Sequence, residues 1–124
     1  MHVDKPVNKY EAGLRGQKEA EAYLLNNGCE ILKRNYRVRT GEIDLIIREN
    51  NYIIFVEVKF RAGLNFGSPS EAVGSTKQQK IIRTAMHYIA VNNLENQDFR
   101  FDVIEVLEKN NRISINHIEN AFGA

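Results

Sequence analysis

Residues 41–61 of this chain read GEIDLIIRENNYIIFVEVKFR, and this stretch decides the fold. Two runs rich in Ile, Val, Phe and Tyr flank Asn50 and Asn51, and asparagine tolerates the positive φ that tight turns often require. Because β-branched and aromatic residues favour strands, the stretch predicts a β-hairpin with strands at 42–49 and 52–60 and a two-residue turn.

The two-residue turn also predicts which residues of the hairpin face each other. It pairs Glu49 with Tyr52, and the facing pairs on one side are then all apolar: Ile47 with Ile54, Leu45 with Val56, and Ile43 with Val58. The pairs on the other side are Ile46 with Phe55, Asp44 with Glu57, and Glu42 with Lys59. A wholly apolar face is what specifies a register, and this one places two carboxylates with Cβ atoms about 5 Å apart.

Two acids at that spacing need something to offset their repulsion, which is about 3 kcal/mol at an effective dielectric constant of 20. A shared proton, the neighbouring Lys59, or a divalent cation would each do so. Mg²⁺ suits the position because it needs only one or two carboxylates and keeps waters or phosphate oxygens as its other ligands. Lys59 shares the face of Glu57, where it would hold the attacking water or balance phosphate charge. The alternative is an exposed, salt-bridged strand face, although the apolar flanks favour burial.

The spacing of Asp44, Glu57 and Lys59 resembles the signature of the PD-(D/E)xK nuclease superfamily. The longer wording resembles the YraN family, over about residues 13–122, in the order GEIDLI at 41–46, FVEVK at 55–59, FGSP at 66–69, KQ at 77–78, RFDV at 100–103 and NAF at 120–122. That family consists of small bacterial proteins described as predicted endonucleases, similar in core to archaeal Holliday-junction resolvases. The resemblance implies a restriction-endonuclease-like α/β fold, in which helices flank a mixed β-sheet.

The resemblance also implies a site. Its catalytic residues would be Asp44, Glu57, Lys59 and Gln78, with Mg²⁺ (or Mn²⁺ as a substitute) on Asp44, Glu57, the Val58 carbonyl and Glu42. The chain departs from its resolvase-like relatives at Gln17, where they carry Glu in the first helix. An amide is a poor ligand for Mg²⁺, so this departure counts against a second metal and against full activity.

Gln78 is also singled out by helical periodicity. Ile81, Ile82, Ala85, Tyr88 and Ile89 form the apolar stripe of a helix predicted over 75–92, capped by Ser75 or Thr76. Extended back by one turn, the stripe points Gln78 at the sheet from the helix N-terminus, where the dipole favours a phosphate. Alternatively, Ser75 and Gln78 form a capping box.

A basic strip is predicted on the strand at 29–39. Lys33, Arg34, Arg37 and Arg39 fall within seven residues together with Tyr36. Cations bind phosphates and a tyrosine stacks on an exposed base, so Arg34, Tyr36, Arg37 and Arg39 are candidate DNA-binding residues, joined by Arg61 and Lys77. The alternative is a charged edge strand protected from aggregation.

Composition sets the class of protein. The chain has 124 residues, a formal net charge of +1 and one cysteine, Cys29. We expect a loose terminus at 1–8 and a single domain at 9–124, with no internal disulfide, no membrane segment and a cytoplasmic location. The long glycine-containing loop at 61–75 would be either functional or a plain crossover.

The predicted elements are a helix at 9–27 that Gly28 terminates, three strands, the helix at 75–92, and strands at 99–107 and 112–118, in the order αβββαββ. The leading hypothesis is a metal-dependent phosphodiesterase acting on DNA. By resemblance the substrate would be branched or single-stranded DNA, with a homodimer if it cuts junctions. The alternatives are a non-catalytic nucleic-acid-binding module and a protein-interaction subunit whose acids are closed off by Lys59.

Overall fold

A computed structural model of the protein describes residues 9–62 and 73–123. Its elements are α1 (Lys9–Asn26), β1 (Glu30–Val38), β2 (Gly41–Glu49), β3 (Tyr52–Ala62), α2 (Ser75–Val91), β4 (Asp98–Lys109) and β5 (Arg112–Phe122). This order confirms the predicted α/β fold. The predicted loose terminus at 1–8, the motif at 66–69 and most of the predicted loop at 61–75 lie outside the described residues.

The five strands form one mixed sheet in the order β1-β2-β3-β4-β5. All neighbours are antiparallel except β3 and β4, which are parallel. A parallel pair needs a crossover connection, and α2 lies in that connection. β1 lies at one edge of this sheet. This agrees with the alternative prediction that its charges belong to an edge strand protected from aggregation.

The hairpin of β2 and β3 has the predicted register next to its turn. Glu49 pairs with Tyr52, and the backbone pairing continues as far as Leu45 and Val56. Beyond that point β2 and β3 are not paired, so the predictions of the pairs Asp44–Glu57, Ile43–Val58 and Glu42–Lys59 are wrong. Here β2 stays paired with β1, where Ile43 faces Tyr36, so β2 and β3 separate next to the acids.

The sheet buries a separate core on each face. Ala20 and Leu24 of α1 pack with alternate strand residues such as Val56, and Ala85 and Ile89 of α2 pack with the intervening ones. The buried stripe of α2 differs from the predicted one at a single place. Thr84 is buried, whereas the predicted Ile82 is only partly buried. Within the described ranges neither helix has the length and apolar character that crossing a membrane requires.

The two helices end differently. Gly28 (φ +83°) terminates α1 as predicted, with its N–H bonded to the Leu25 carbonyl and the Cys29 N–H bonded to the Leu24 carbonyl. The prediction that Ser75 or Thr76 caps α2 is wrong, because the N-cap is Gly74 and no side chain caps it. The predicted capping box is also absent, since the Gln78 amide donates to the Val73 carbonyl at 2.9 Å.

Candidate metal and catalytic site

The separation of β2 from β3 creates a place for the Asp44 carboxylate. Its Oδ2 accepts a hydrogen bond of 2.8 Å from the Val58 N–H, a group that continued strand pairing would have occupied. Burial and the nearby Glu57 carboxylate raise the pKa of Asp44 to about 7, although the Val58 N–H and Lys77 act in the opposite direction. The two acids therefore interact as predicted, through strand divergence rather than strand pairing.

Glu57 has a counter-ion that the sequence did not indicate. Its side chain is 7% exposed, and its Oε1 lies 2.7 Å from the ammonium nitrogen of Lys77 on α2. Burial alone would lower the pKa of Lys77, but the hydrogen bond and charge of Glu57 outweigh burial and raise it. Lys77, a predicted phosphate-binding residue, is thus the counter-ion of Glu57. The protein-interaction hypothesis gave the role of closing off the acids to Lys59.

Lys59 follows Glu57 by two positions on β3, and its amine lies close to that of Lys77. Burial and the charge of Lys77 lower the pKa of Lys59, while Glu57 opposes them. A lowered pKa favours the neutral amine, which is the form that accepts a proton. The electrostatics of the site therefore act in opposite directions on the two lysines, raising the pKa of Lys77 and lowering that of Lys59.

Glu42 forms its hydrogen bonds with residues other than Lys59, its predicted partner. Its Oε1 accepts from the Asn35 amide at 3.3 Å, and its Oε2 accepts from Arg37 at 3.0 Å. Asn35 in turn exchanges two hydrogen bonds with Gln17 of α1, at 2.9 and 3.1 Å. Gln17, at which this chain departs from its resolvase-like relatives, is therefore linked through Asn35 to Glu42.

Two pockets meet at Asp44. The α2-side pocket, of about 190 Å³, is lined by Gly41, Glu42, Asp44, Glu57, Lys77, Lys80 and Ile81. The α1-side pocket, of about 420 Å³, is lined by Tyr10, Gly13, Leu14, Gln17, Asn35, Arg37, Glu42, Asp44 and Val58. Glu42 and Asp44 line both pockets, so these two carboxylates lie between the α1-side and α2-side pockets.

The donor set suits a hard divalent cation. In the ranges 9–62 and 73–123 no group of three or more His, Cys, Asp or Glu residues is close enough to enclose a metal. Mg²⁺ does not need such a group, since one or two carboxylates and several waters satisfy it. Asp44 and Glu57 supply two carboxylates whose mutual repulsion a cation would relieve, so the residues fit a largely hydrated Mg²⁺.

The part of the chain that carries these residues matches a protein family. The model of the Uncharacterised protein family UPF0102 matches residues 16–106, which is most of the chain. The chain belongs to this family. A UPF0102 protein of Clostridioides difficile is 52% identical over 94% of this chain and all of its own length. Those of Caldanaerobacter subterraneus and Caldicellulosiruptor saccharolyticus are 50% and 46% identical, over 95% and 94% of this chain and 99% and 100% of their own lengths.

Most of the predicted DNA-binding residues of this UPF0102 member have partners within the protein. Arg34 pairs with Glu21 at 2.6 Å, and Arg61 pairs with Glu105 at 2.8 Å. The Tyr36 hydroxyl bonds His87 at 2.7 Å, and its ring meets Tyr88 edge-on against the α2-side core. These contacts give Tyr36 a packing role, while its stacking on a base stays a prediction.

The remaining predicted residues divide between the site and its surroundings. Arg37 and Lys77 line the pockets at Asp44, whereas Arg34, Tyr36, Arg39 and Arg61 do not. Arg39 is exposed in the turn that follows β1. Gln78 lies on the buried side of α2 as predicted, but it closes on Val73 and does not line the α2-side pocket.

A second polar cluster of this UPF0102 fold lies away from Asp44, on β4 and β5. Asp102 is fully buried and accepts hydrogen bonds from Arg100, from His117 at 2.8 Å and from the Asn120 N–H at 2.9 Å. His117 also bonds the Tyr23 hydroxyl at 2.8 Å, which ties α1 to β5. These contacts give Asp102 and His117 a structural role.

Proposed function

We propose that this protein is a divalent-metal-dependent endonuclease that hydrolyses phosphodiester bonds in branched or single-stranded DNA. The observation that carries the proposal is the half-buried Asp44 carboxylate beside the buried Glu57, where the pKa of Asp44 is raised to about 7. Proteins rarely bury two interacting carboxylates unless a partner offsets them. Lys77 pairs with Glu57 here, and a metal ion is the partner that would neutralise both acids at once.

Each side chain has a role that follows from its position. Asp44 and Glu57 would hold Mg²⁺, which when bound polarises the scissile phosphate and lowers the pKa of a bound water. Lys59, with its lowered pKa, would hold the attacking water and accept its proton. Lys77, paired with Glu57 in the free protein, would turn its charge to the phosphate oxygens. If the substrate is a four-way junction, two such sites act in a homodimer.

The test is a cleavage assay on single-stranded, flapped and four-way DNA with Mg²⁺ or Mn²⁺. We expect Asp44→Ala and Lys59→Ala to lose cleavage by about 100-fold or more, because each removes a group that acts on the reacting atoms. Asp98→Ala and Lys109→Ala, which remove exposed groups of the same kinds, should cleave as the wild type does. Equal cleavage by Asp44→Ala, purified identically, would contradict the proposal.

A second candidate is a nucleic-acid-binding module without catalysis. It is favoured by Gln17, which cannot replace a carboxylate ligand, and by the Lys77 ammonium already paired with Glu57. This candidate predicts DNA binding that weakens steeply with salt, with no cleavage under any divalent ion. The same substrates, assayed for both binding and cleavage, separate the two candidates.

A further inference from the structure

The α1-side pocket has a lining unlike that of the α2-side pocket. On its outer wall Tyr10 is 76% exposed and Leu14 is 48% exposed, one turn apart on α1. Between them is Gly13, where an added Cβ would meet no atom within 4 Å. The wall thus combines an exposed aromatic ring and an exposed aliphatic side chain with open space.

The inner wall of the same pocket is polar but nearly neutral. Gln17 and Asn35 bond each other there, so Gln17 keeps one free donor and each amide oxygen keeps acceptor capacity, while both donors of Asn35 are used by Gln17 and Glu42. The charges of Arg37 and Glu42 are paired at 3.0 Å. A ligand that matches both walls has flat apolar faces and a hydrogen-bonding edge without net charge.

The pocket is also continuous with the proposed catalytic centre. Asp44 and Glu42 line it together with the α2-side pocket, and Val58, which holds Asp44, lines it as well. Its volume of about 420 Å³ is within the range of sites for small organic groups, about 300–1,000 Å³. A group covalently linked to the reacting phosphate would therefore reach it.

We propose that the α1-side pocket receives an unpaired nucleobase of the DNA strand whose phosphate lies against Asp44, an inference that rests on the proposed function. The base stacks on Tyr10 and Leu14 and directs its polar edge to the Gln17–Asn35 amide pair. In an intact duplex both faces of a base are stacked and its polar edge is paired. The pocket therefore selects single-stranded, flapped or junction DNA over continuous duplex.

The first experiment measures binding without cleavage, by fluorescence anisotropy in EDTA. The probes are a single-stranded oligothymidine, an abasic strand of the same length and a blunt duplex. Tyr10→Ala should weaken oligothymidine binding about tenfold, the size expected when one base–aromatic stack is lost. It should leave abasic-strand binding unchanged, and Tyr10→Phe, which keeps the ring, should bind like the wild type.

Gly13→Leu provides a test that does not depend on removing a contact. Leucine is a better helix former than glycine and has room at this position, so the variant should unfold at an equal or higher temperature. Its side chain fills the pocket, so oligothymidine binding should still fall several-fold. Leu25→Ala, a matched control at a 53% exposed site on the same helix outside the pocket, should leave binding unchanged.

The outcomes separate this inference from the function beneath it. If Tyr10→Ala and Gly13→Leu both bind oligothymidine as the wild type does, the base pocket is excluded while nuclease activity stands. If the wild type binds the abasic strand and oligothymidine equally, the base pocket is excluded in the same way. If the wild type binds none of the three probes, both the pocket and the DNA-directed function are overturned.

Discussion

Asp44 is a half-buried carboxylate, and its neighbour Glu57 is already paired with the ammonium group of Lys77. Its folded-state pKa of about 7 lies above the ordinary 3.8, so between about pH 4 and 7 the folded protein binds more protons than the unfolded chain. Stability must then fall as pH rises through that window. Asp44, whose charge would favour a bound cation, therefore destabilises the folded protein when no cation is bound.

Asp44→Asn should remove this pH dependence. The amide oxygen still accepts from the Val58 N–H, but the charge that repels Glu57 is lost. In metal-free buffer at pH 8 we expect the variant to be more stable to urea by on the order of 2 kcal/mol, with the difference vanishing near pH 4. Mg²⁺ should stabilise the wild type and not the variant.

Asp98→Asn is the control for that series, because Asp98 is exposed. Its urea midpoint should follow that of the wild type at every pH. Parallel pH profiles for the wild type and Asp44→Asn would show that Asp44 is not held in a destabilising environment.

Asp102 is the opposite case, a buried acid with a full set of partners. Burial raises its pKa, but the hydrogen bonds from His117, Arg100 and the Asn120 N–H outweigh burial and lower it overall. Asp102→Ala removes the buried acceptor of Arg100, His117 and the Asn120 N–H, and we expect a loss of about 3–5 kcal/mol in the free energy of unfolding. Chemical denaturation measures this loss directly.

Glu119→Ala is the matched control for Asp102→Ala. Glu119 also faces Arg100, at 3.7 Å, but its side chain is 62% exposed. Its removal should change stability by no more than about 0.5 kcal/mol. Equal effects of the two substitutions would contradict the assignment of Asp102 as the centre of this network.

At the scale of elements, the N-terminus of α2 lacks a capping side chain. Gly74 has φ −75° and ψ 166°, which any residue adopts, and an added Cβ there meets nothing within 4 Å. Gly74→Ser should therefore stabilise the protein by about 0.5–1 kcal/mol, through a new cap and a less flexible unfolded chain. Thermal unfolding followed by circular dichroism provides the measurement.

Gly28→Ala tests the other helix end with the opposite sign. Gly28 also has open space around it, but its φ of +83° is left-handed, so alanine should destabilise by about 1 kcal/mol. Destabilisation by Gly74→Ser, or a neutral Gly28→Ala, would show that these backbone conformations are not what sets the helix ends.

At the scale of the whole molecule, the net charge of +1 gives little general attraction for DNA. Phosphate binding must come from local cations, and on β1 two of them, Arg34 and Arg37, are already paired with carboxylates. Lys33 on β1 and Arg39 just after it are exposed at the same sheet edge. We therefore expect this edge to bind phosphate through Lys33 and Arg39 first.

The salt dependence of binding tests this assignment. If Arg39 contacts a phosphate, Arg39→Ala should reduce the slope of log K against log salt by about 0.7 for single-stranded DNA. Lys109→Ala, at the turn between β4 and β5, should leave the slope unchanged. Equal slopes for all three proteins would remove Arg39 from the DNA-binding surface.

Much of the fold was predictable because it depends on short stretches of chain. Alternation and the Asn50–Asn51 turn gave the register of β2 with β3 as far as Leu45 and Val56. Gly28 gave the end of α1, because glycine adopts the left-handed conformation that the helix end requires. The motif around Asp44, Glu57 and Lys59 indicated the candidate site, since its residues lie on two strands joined by one turn.

The sequence by itself thus determined the elements, their order and the acids of the site. Only the tertiary structure decided where β2 leaves β3, that Lys77 neutralises Glu57, and that Glu42 joins Asn35 and Arg37. It also turned Tyr36 towards His87 and opened a pocket beside Tyr10. Strand pattern and turn chemistry act between near neighbours in sequence, whereas the partner of a charge depends on which distant elements pack against it.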